Sequence, residues 1–251
     1  MPKFAVILAA AGKSSRFSNA QGQANLKKPF VDLAGKPVWQ HSLDAFLSRD
    51  DIVQQIVVVS PDDHAWFRQT YAALIASLKI DVVEGGTERS DSVANAVAAI
   101  SESAEFVAIH DAARPCIDPT LIERIFSGAV LHGNCIPAVA VASTIKRSAD
   151  GKKVDETVDR SGLFLSQTPQ AFSVPTLKDA IARQGELKPT DEAQLFETLG
   201  MEVFLTEGSP WNRKITTHED LCFAHAALQA IHSEAPPIHA DPSTSTTNRI
   251  V

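Results

Sequence analysis

The sequence predicts an α/β protein built on a doubly wound, mostly parallel sheet with a projecting β-arm. Three observations lead there. Apolar, β-branched runs alternate with helical stripes from Phe4 to Ala142, the pattern of strand–helix–strand crossovers. The first run, Phe4–Leu8, is apolar throughout rather than alternating, as a strand covered on both faces must be. After Ser143 the regularity gives way to a polar stretch, Thr144–Thr157, with Asp150-Gly151 as its hairpin turn.

Phe4–Leu8 opens the sheet, and a loop of small residues follows. Trp39, Leu43, Phe46 and Leu47 then form one stripe of a helix. Ile56–Val59 is a second strand, ended by Ser60-Pro61, and Ile80–Val83 a third, ended by Gly85-Gly86. Val93, Val97 and Ile100 line the next helix, and Phe106–Ile109 is the fourth strand. Asp118 before Pro119 reads as the cap and first residue of a helix that turns Ile122, Ile125, Phe126 and Ala129 inward. Ile136–Ala142 is the fifth strand. Beyond the arm, Thr190 can cap a helix carrying Leu195, Phe196 and Leu199, with Gly200 just past its end. Thr216-x-x-Glu219 has capping-box spacing for a last helix with Leu221, Ala224, Leu228 and Ile231. From about Ser233 the chain is rich in Pro, Ser and Thr, as a disordered tail would be. The expected organisation is one domain over residues 1–232, with the arm at 143–160, and a tail at 233–251.

Composition narrows the function. Of 251 residues, 44% are hydrophobic and 21% charged, which supplies a core and excludes global disorder. No apolar run approaches the roughly 18 residues of a membrane span. The N-terminus passes straight into a strand without a leader's cleavage site, so a cytoplasmic location and no membrane partner are expected. Cys116, Cys135 and Cys222 lack metal or disulfide spacing and read as buried, reduced thiols. A net charge of −7 argues against nucleic acid as the main partner. Yet Lys13, Arg16, Lys27, Lys28 and Lys36 cluster with one anion, Asp32, between Gly12 and Lys36. A basic loop on an acidic protein attracts a small polyanion.

Ligands of parallel sheets sit beyond the carboxyl ends of the strands. Three loops therefore matter: Ala9–Phe17, Gly85–Ser92 and His110–Pro115. The first contains Gly12-Lys13-Ser14, but Ile7 stands where a Walker loop needs its first glycine, and one glycine does not make a dinucleotide fingerprint. Ala9, Ala10, Ala11 and Gly12 do let a ligand approach the backbone, whose N–H groups can cradle phosphate. Arg16 adds a planar fork and Lys28 a point charge; a solvated loop would contain the same cations. In the second loop, Gly85-Gly86 frees the backbone, and Thr87 or Ser90 could cap the helix that follows. In the third, Asp111 at a strand end suits a divalent cation or ribose hydroxyls, or a structural acceptor. His110 reads as a satisfied strand-end imidazole, because no second His lies at metal spacing. Asp159-Arg160 on the arm reads equally as a surface ion pair. Lys214 precedes a helix N-terminus, an unfavourable place for a cation unless an anion lies nearby.

The ordered set A-A-A-G-x-S-x-R, K-x-F-x-x-L-x-G-K-P, G-G-T-E-R-x-D-S-V, H-D-A-A-R-P, T-I-K, T-V-D-R, T-P-Q, T-D-E-A and N-x-K-I-T resembles the 2-C-methyl-D-erythritol 4-phosphate cytidylyltransferases of the nonmevalonate isoprenoid pathway, over about residues 4–231. The resemblance implies a Rossmann-like nucleotidyltransferase fold and a homodimer whose arms cross between subunits. It implies that Arg16 and Lys28 stabilise charge on the α-phosphate of CTP, with Lys27 a rival to Lys28. Arg160 from the partner's arm and Lys214 would position the methylerythritol phosphate. Ala10, Ala11, Gly12 and Lys13 would line the nucleotide, and Gly86, Thr87 and Ser92 would sit by the cytosine. The family often has an acidic residue where Thr87 stands. Asp111 and Ala112 would lie by the ribose and a Mg²⁺ held mainly by the CTP phosphates. Thr144, Thr168 and Thr190 would line the acceptor pocket.

The chemistry agrees. A phosphate monoester is already ionised near neutral pH and attacks without a general base, so cations rather than a Ser/His/Asp triad are needed. Two other readings remain open: a ribitol 5-phosphate cytidylyltransferase, and a noncatalytic nucleotide-binding protein.

Overall fold

The computed structural model describes residues 1–12 and 27–232. Lys13, Arg16 and the tail from Ser233 lie outside the described residues. The expected first strand is β1 (Phe4–Ala9). A small hairpin of β2 (Asp32–Leu33) and β3 (Lys36–Pro37) leads into α1 (Val38–Asp44). Next come β4 (Ile52–Val59), α2 (Pro61–Thr70), α3 (Ala72–Leu78) and β5 (Asp81–Glu84). α4 (Arg89–Ala98) crosses to β6 (Phe106–Asp111), and α5 (Pro119–His132) leads to β7 (Asn134–Ala140). The arm is β8 (Ile145–Arg147) paired with β9 (Glu156–Val158). β10 (Phe164–Ser166), β11 (Gln170–Ser173), α6 (Val174–Ala182), α7 (Glu192–Thr198), β12 (Leu205–Glu207) and α8 (His218–His232) complete the fold.

The main sheet has the order β10-β7-β11-β6-β1-β4-β5, with β12 as an eighth strand on β7. β6, β1, β4 and β5 are mutually parallel, as the alternating pattern requires. β1 shows why its sequence lacks alternation. Ala5 and Ile7 enter the core under α4, α6 and α7, while Phe4, Val6 and Leu8 enter the cores on the opposite face. Both faces are dry, so every position is apolar. Between β6 and β7 runs β11, antiparallel to both and unforeseen in the sequence. Its four residues are too short for a period to emerge. Burial of Ala171 on one face and Phe172 on the other fixes it in place.

The helix caps refine the sequence reading. Asp118 caps α5 as expected, its Oδ1 accepting from the Leu121 N–H at 2.8 Å. α7 is capped by Asp191 rather than Thr190, whose own N–H and hydroxyl donate to Gln194 Oε1 at 2.7 and 3.1 Å. The capping box of α4 is Glu88 with Asp91, not Thr87 or Ser90. That of α8 is Thr217 with Asp220, one residue past the expected pair. At α4 and α7 a carboxylate, a stronger acceptor than a hydroxyl, has taken the place expected of Thr or Ser; at α8 the same pair of residue types is shifted by one position. Cys116 and Cys135 are buried, but Cys222 is exposed, because Ala224, Ala227 and Leu228 form the inward stripe of α8. Among the described residues no helix is long and apolar enough to cross a membrane.

Candidate active site

A cavity of about 650 Å³ opens beyond the carboxyl ends of β1, β4, β5 and β6. Ala9, Ala11 and Gly12 form one side of its lining. Ala10 and Ala112 do not line it; both are buried in the core, and their N–H groups donate to Val58 O at 2.8 Å and Ala9 O at 3.1 Å. They tie the ends of three strands together beneath the loop.

The Gly85-Gly86 loop also lines it, with Thr87, Ser92 and Arg89, and Gly85 lies close against Ala11. A Cβ on Gly86 would lie 2.3 Å from Asp91 Cβ, and one on Gly85 would lie 2.8 Å from Ser92 Oγ. Only glycine lets this loop lie against the start of α4. Ser92 Oγ accepts from the Gly86 N–H and donates to Glu88 O, each at 3.0 Å, so its hydroxyl braces the loop. Arg89, which the sequence reading did not single out, lines the cavity and forks onto Glu192 at 2.6 and 3.0 Å. Burial opposes its charge, but the Glu192 carboxylate outweighs burial and raises the guanidinium pKa.

Asp111 ends β6 and is 8% exposed. Its Oδ2 receives Lys214 Nζ at 3.0 Å and Arg114 Nε at 3.1 Å. Burial pushes this carboxyl up, yet Lys214, Arg114 and Arg89 together hold it well below the usual range. It is therefore ionised at neutral pH. The anion that Lys214 needed beside a helix N-terminus is supplied by the protein itself.

The neighbouring residues are fixed by a closed set of hydrogen bonds. Thr168 Oγ1 accepts from the Asp111 N–H and contacts His110 Nδ1, each at 3.0 Å. His110 Nε2 lies 3.1 Å from Arg114 O. Arg114 Nη1 donates to Asn212 O at 2.9 Å, and Asn212 Nδ2 to Thr168 O at 2.7 Å. A neutral imidazole satisfies both ring contacts, and burial pushes the His110 pKa down to about 4. His110 is a satisfied structural imidazole, as its sequence context implied. Thr168 is buried and braces Asp111; it does not line the cavity.

The lysine expected in the cavity was Lys28, but the residue that lines it is Lys27. Lys28 opens a short 3₁₀ turn, Lys28–Phe30, in which all three residues are buried. Lys27, one step earlier in extended backbone, lines the cavity and donates to Ser60 Oγ and Asp63 Oδ2. Thr144 and Arg160 lie exposed on and beside the arm, outside the cavity of their own chain, and the Arg160 guanidinium donates to Ala142 O. Thr190 is exposed at its loop and also lies outside it. The Ser60–Asp62 stretch after β4 does line the cavity, although the sequence reading passed over it. The strand-end rule that drew attention to the other loops applies here equally.

The described residues contain no group of three or more His, Cys, Asp or Glu able to hold a metal alone. Asp111 can give one ligand to a cation whose other ligands are substrate oxygens, which is how Mg²⁺ usually accompanies phosphates.

A cavity at the carboxyl rim of a parallel sheet, walled by small-residue backbone and set with cations, defines the class: an α/β protein with a site for phosphates. No histidine lines it among the described residues. The chain belongs to the family described as IspD, 2-C-methyl-D-erythritol 4-phosphate cytidylyltransferase, whose profile matches residues 4–230. It is 39% identical over 241 residues to the enzyme of that name from Rhodopirellula baltica, covering 91% of this chain and 96% of the relative. It is 38% identical to the bifunctional enzyme IspD/IspF of Rhodospirillum rubrum, covering 88% of this chain but 56% of that longer protein. The crystal structure of the cytidylyltransferase from Thermus thermophilus superposes with a TM-score of 0.74 at 29% identity, covering 91% of this chain and 100% of that one.

Proposed function

We propose that this protein transfers the CMP moiety of CTP to 2-C-methyl-D-erythritol 4-phosphate. The products are 4-diphosphocytidyl-2-C-methyl-D-erythritol and pyrophosphate, a step in isoprenoid precursor biosynthesis. The observation that carries the reading is the convergence of the Ala11-Gly12 backbone, the Gly85-Gly86 loop and the Asp111–Lys214 pair on one cavity. An oxygen of the acceptor phosphate attacks the α-phosphorus, and the bond to the bridging oxygen breaks, so the electron pair leaves with pyrophosphate. The attacking phosphate has its second pKa near ~6, so no general base is required. The barrier is the meeting of two anions, and fixed cations lower it.

By family resemblance Lys214 meets the acceptor phosphate, and Asp111 holds its ammonium at 3.0 Å. By the same resemblance Arg16 and Lys28 serve the α-phosphate, although Lys28 is buried and does not line the cavity, and Gly86, Thr87 and Ser92 shape the base site. Mg²⁺ supplies positive charge to the triphosphate when bound, with Asp111 the residue to hold it. We also propose a homodimer in which Thr144 and Arg160 complete the partner's acceptor site. Their position outside their own cavity supports this, as do the exposed Val154, Leu163, Phe164 and Leu165 on and beside the arm. A cytoplasmic location fits the exposed thiol of Cys222.

Pyrophosphate release, followed in parallel with CTP and Mg²⁺ plus either methylerythritol phosphate or ribitol 5-phosphate, tests the reading. Turnover with the first acceptor is expected. Preference for ribitol phosphate, or turnover with neither, would overturn it.

A further inference from the structure

We propose that Lys27 is a further cation for the nucleotide's phosphates, aimed by Ser60 and Asp63, which act as positioning residues. The proposal rests on reading this cavity as the nucleotide site. Lys27 lines the cavity. Its ammonium donates to Ser60 Oγ at 2.8 Å and to Asp63 Oδ2 at 2.6 Å. The Ser60 hydroxyl itself donates to Asp63 Oδ2 at 2.6 Å, closing a three-membered cluster.

Two features separate this cluster from an ordinary surface ion pair. The first is burial: the Lys27 and Asp63 side chains are only 21% and 19% exposed. A lysine held by two partners loses most of its freedom before any ligand arrives. An ammonium has three hydrogens; among the described residues Lys27 engages two partners, and a third donor can serve the cavity.

The second is a cap that is not made. Ser60 precedes Pro61 at the start of α2, and Ser60-x-x-Asp63 has capping-box spacing. Yet the Ser60 side chain makes no capping bond to the helix. The hydroxyl and carboxylate that the local sequence would assign to helix ends are turned onto Lys27 instead. The cavity thus carries two ammonium groups held on carboxylates: Lys214 on Asp111 past β6, and Lys27 on Asp63 past β4. Lys214 is placed for the acceptor phosphate, and Lys27 for the nucleotide.

The test is calorimetric binding of CTP with Mg²⁺ to the full chain, together with steady-state turnover. Lys27→Ala should weaken CTP binding about tenfold, the scale of one charge-assisted hydrogen bond. Lys27→Gln, which keeps the stem, should behave alike. Asp63→Asn and Ser60→Ala should each weaken CTP about threefold while leaving KM for methylerythritol phosphate unchanged. The double variant Lys27→Ala/Asp63→Asn should bind CTP no more weakly than Lys27→Ala, because Asp63 acts only through the lysine. Wild-type CTP affinity in both Lys27 variants overturns the proposal. So does an Asp63→Asn defect that persists undiminished in the Lys27→Ala background, since Asp63 would then serve the fold. If the unaltered protein turns over but these variants match it, this proposal fails and the cytidylyltransferase reading stands. If the unaltered protein neither binds CTP nor releases pyrophosphate, both fail.

Discussion

Asp111 shares one carboxylate oxygen between Lys214 and Arg114. Lys214→Ala removes a cation from the cavity and leaves the carboxylate its ion pair with Arg114 and the more distant charge of Arg89. Turnover should fall about 10²-fold with folding intact, read as pyrophosphate release beside a thermal melt; near-normal turnover would remove Lys214 from the mechanism. His110, beneath this cluster, gives a pH signature. Burial sets its pKa at about 4 in the fold against an ordinary 6.5. Between those values the unfolded chain holds a proton that the fold excludes. Stability therefore rises with pH through this window, and up to roughly 3 kcal/mol is lost as pH falls from about 6.5 to about 4. Proton NMR should find the His110 ring neutral at about pH 5.5, and titration near 6.5, its ordinary value, would contradict the assignment. At this scale the sequence marked Asp111, Gly86 and Lys214, which line one cavity, because each lies at a strand end or a helix start. It did not disclose that Lys27 lines the cavity while Lys28 is buried in the turn that follows, because adjacent lysines are alike in composition and only the local backbone separates them. Nor did it assign Arg89, whose partner Glu192 is remote in sequence.

Much of the parallel sheet and the helices α1, α4, α5, α7 and α8 were legible, whereas α2, α3 and α6 were not anticipated. Uninterrupted apolar runs announced β1, β4 and β6, and Asp118-Pro119 announced α5. The short insertions were not: β11 and β12 have four and three residues, and partners rather than patterns hold them in the sheet. The caps erred by one residue because several oxygens compete for the same N–H groups. That competition is measurable at α8. Thr217→Ala should cost about 1 kcal/mol, visible in a urea midpoint, and Glu219→Ala distinctly less; the reverse order would restore the register expected from sequence. Gly86→Ala examines the loop before α4. Its Cβ would force the loop off Asp91, so KM for CTP should rise by about tenfold or more, while an unchanged KM would show that the loop need not lie so close.

At the scale of the molecule, the arm stands apart from the main sheet, with Arg160 and Thr144 outside the cavity of their own chain. The polar, irregular stretch marked this arm in the sequence. Its destination was not written there, because exposed residues leave no period behind. If arms cross between subunits, mixing Lys214→Ala chains with Arg160→Ala chains restores activity in hybrid sites that keep both wild-type residues. Subunit exchange demonstrated by labelling, with no recovered turnover, would put Arg160 back on its own chain. Everything at larger scale depends on where the nucleotide lies. A crystal structure with CTP and Mg²⁺ bound should show the triphosphate against the Ala11-Gly12 backbone, within hydrogen-bond reach of Lys27, with Lys214 and Asp111 across the cavity from it. A triphosphate lodged elsewhere, with these groups still facing solvent, would contradict this reading of the site.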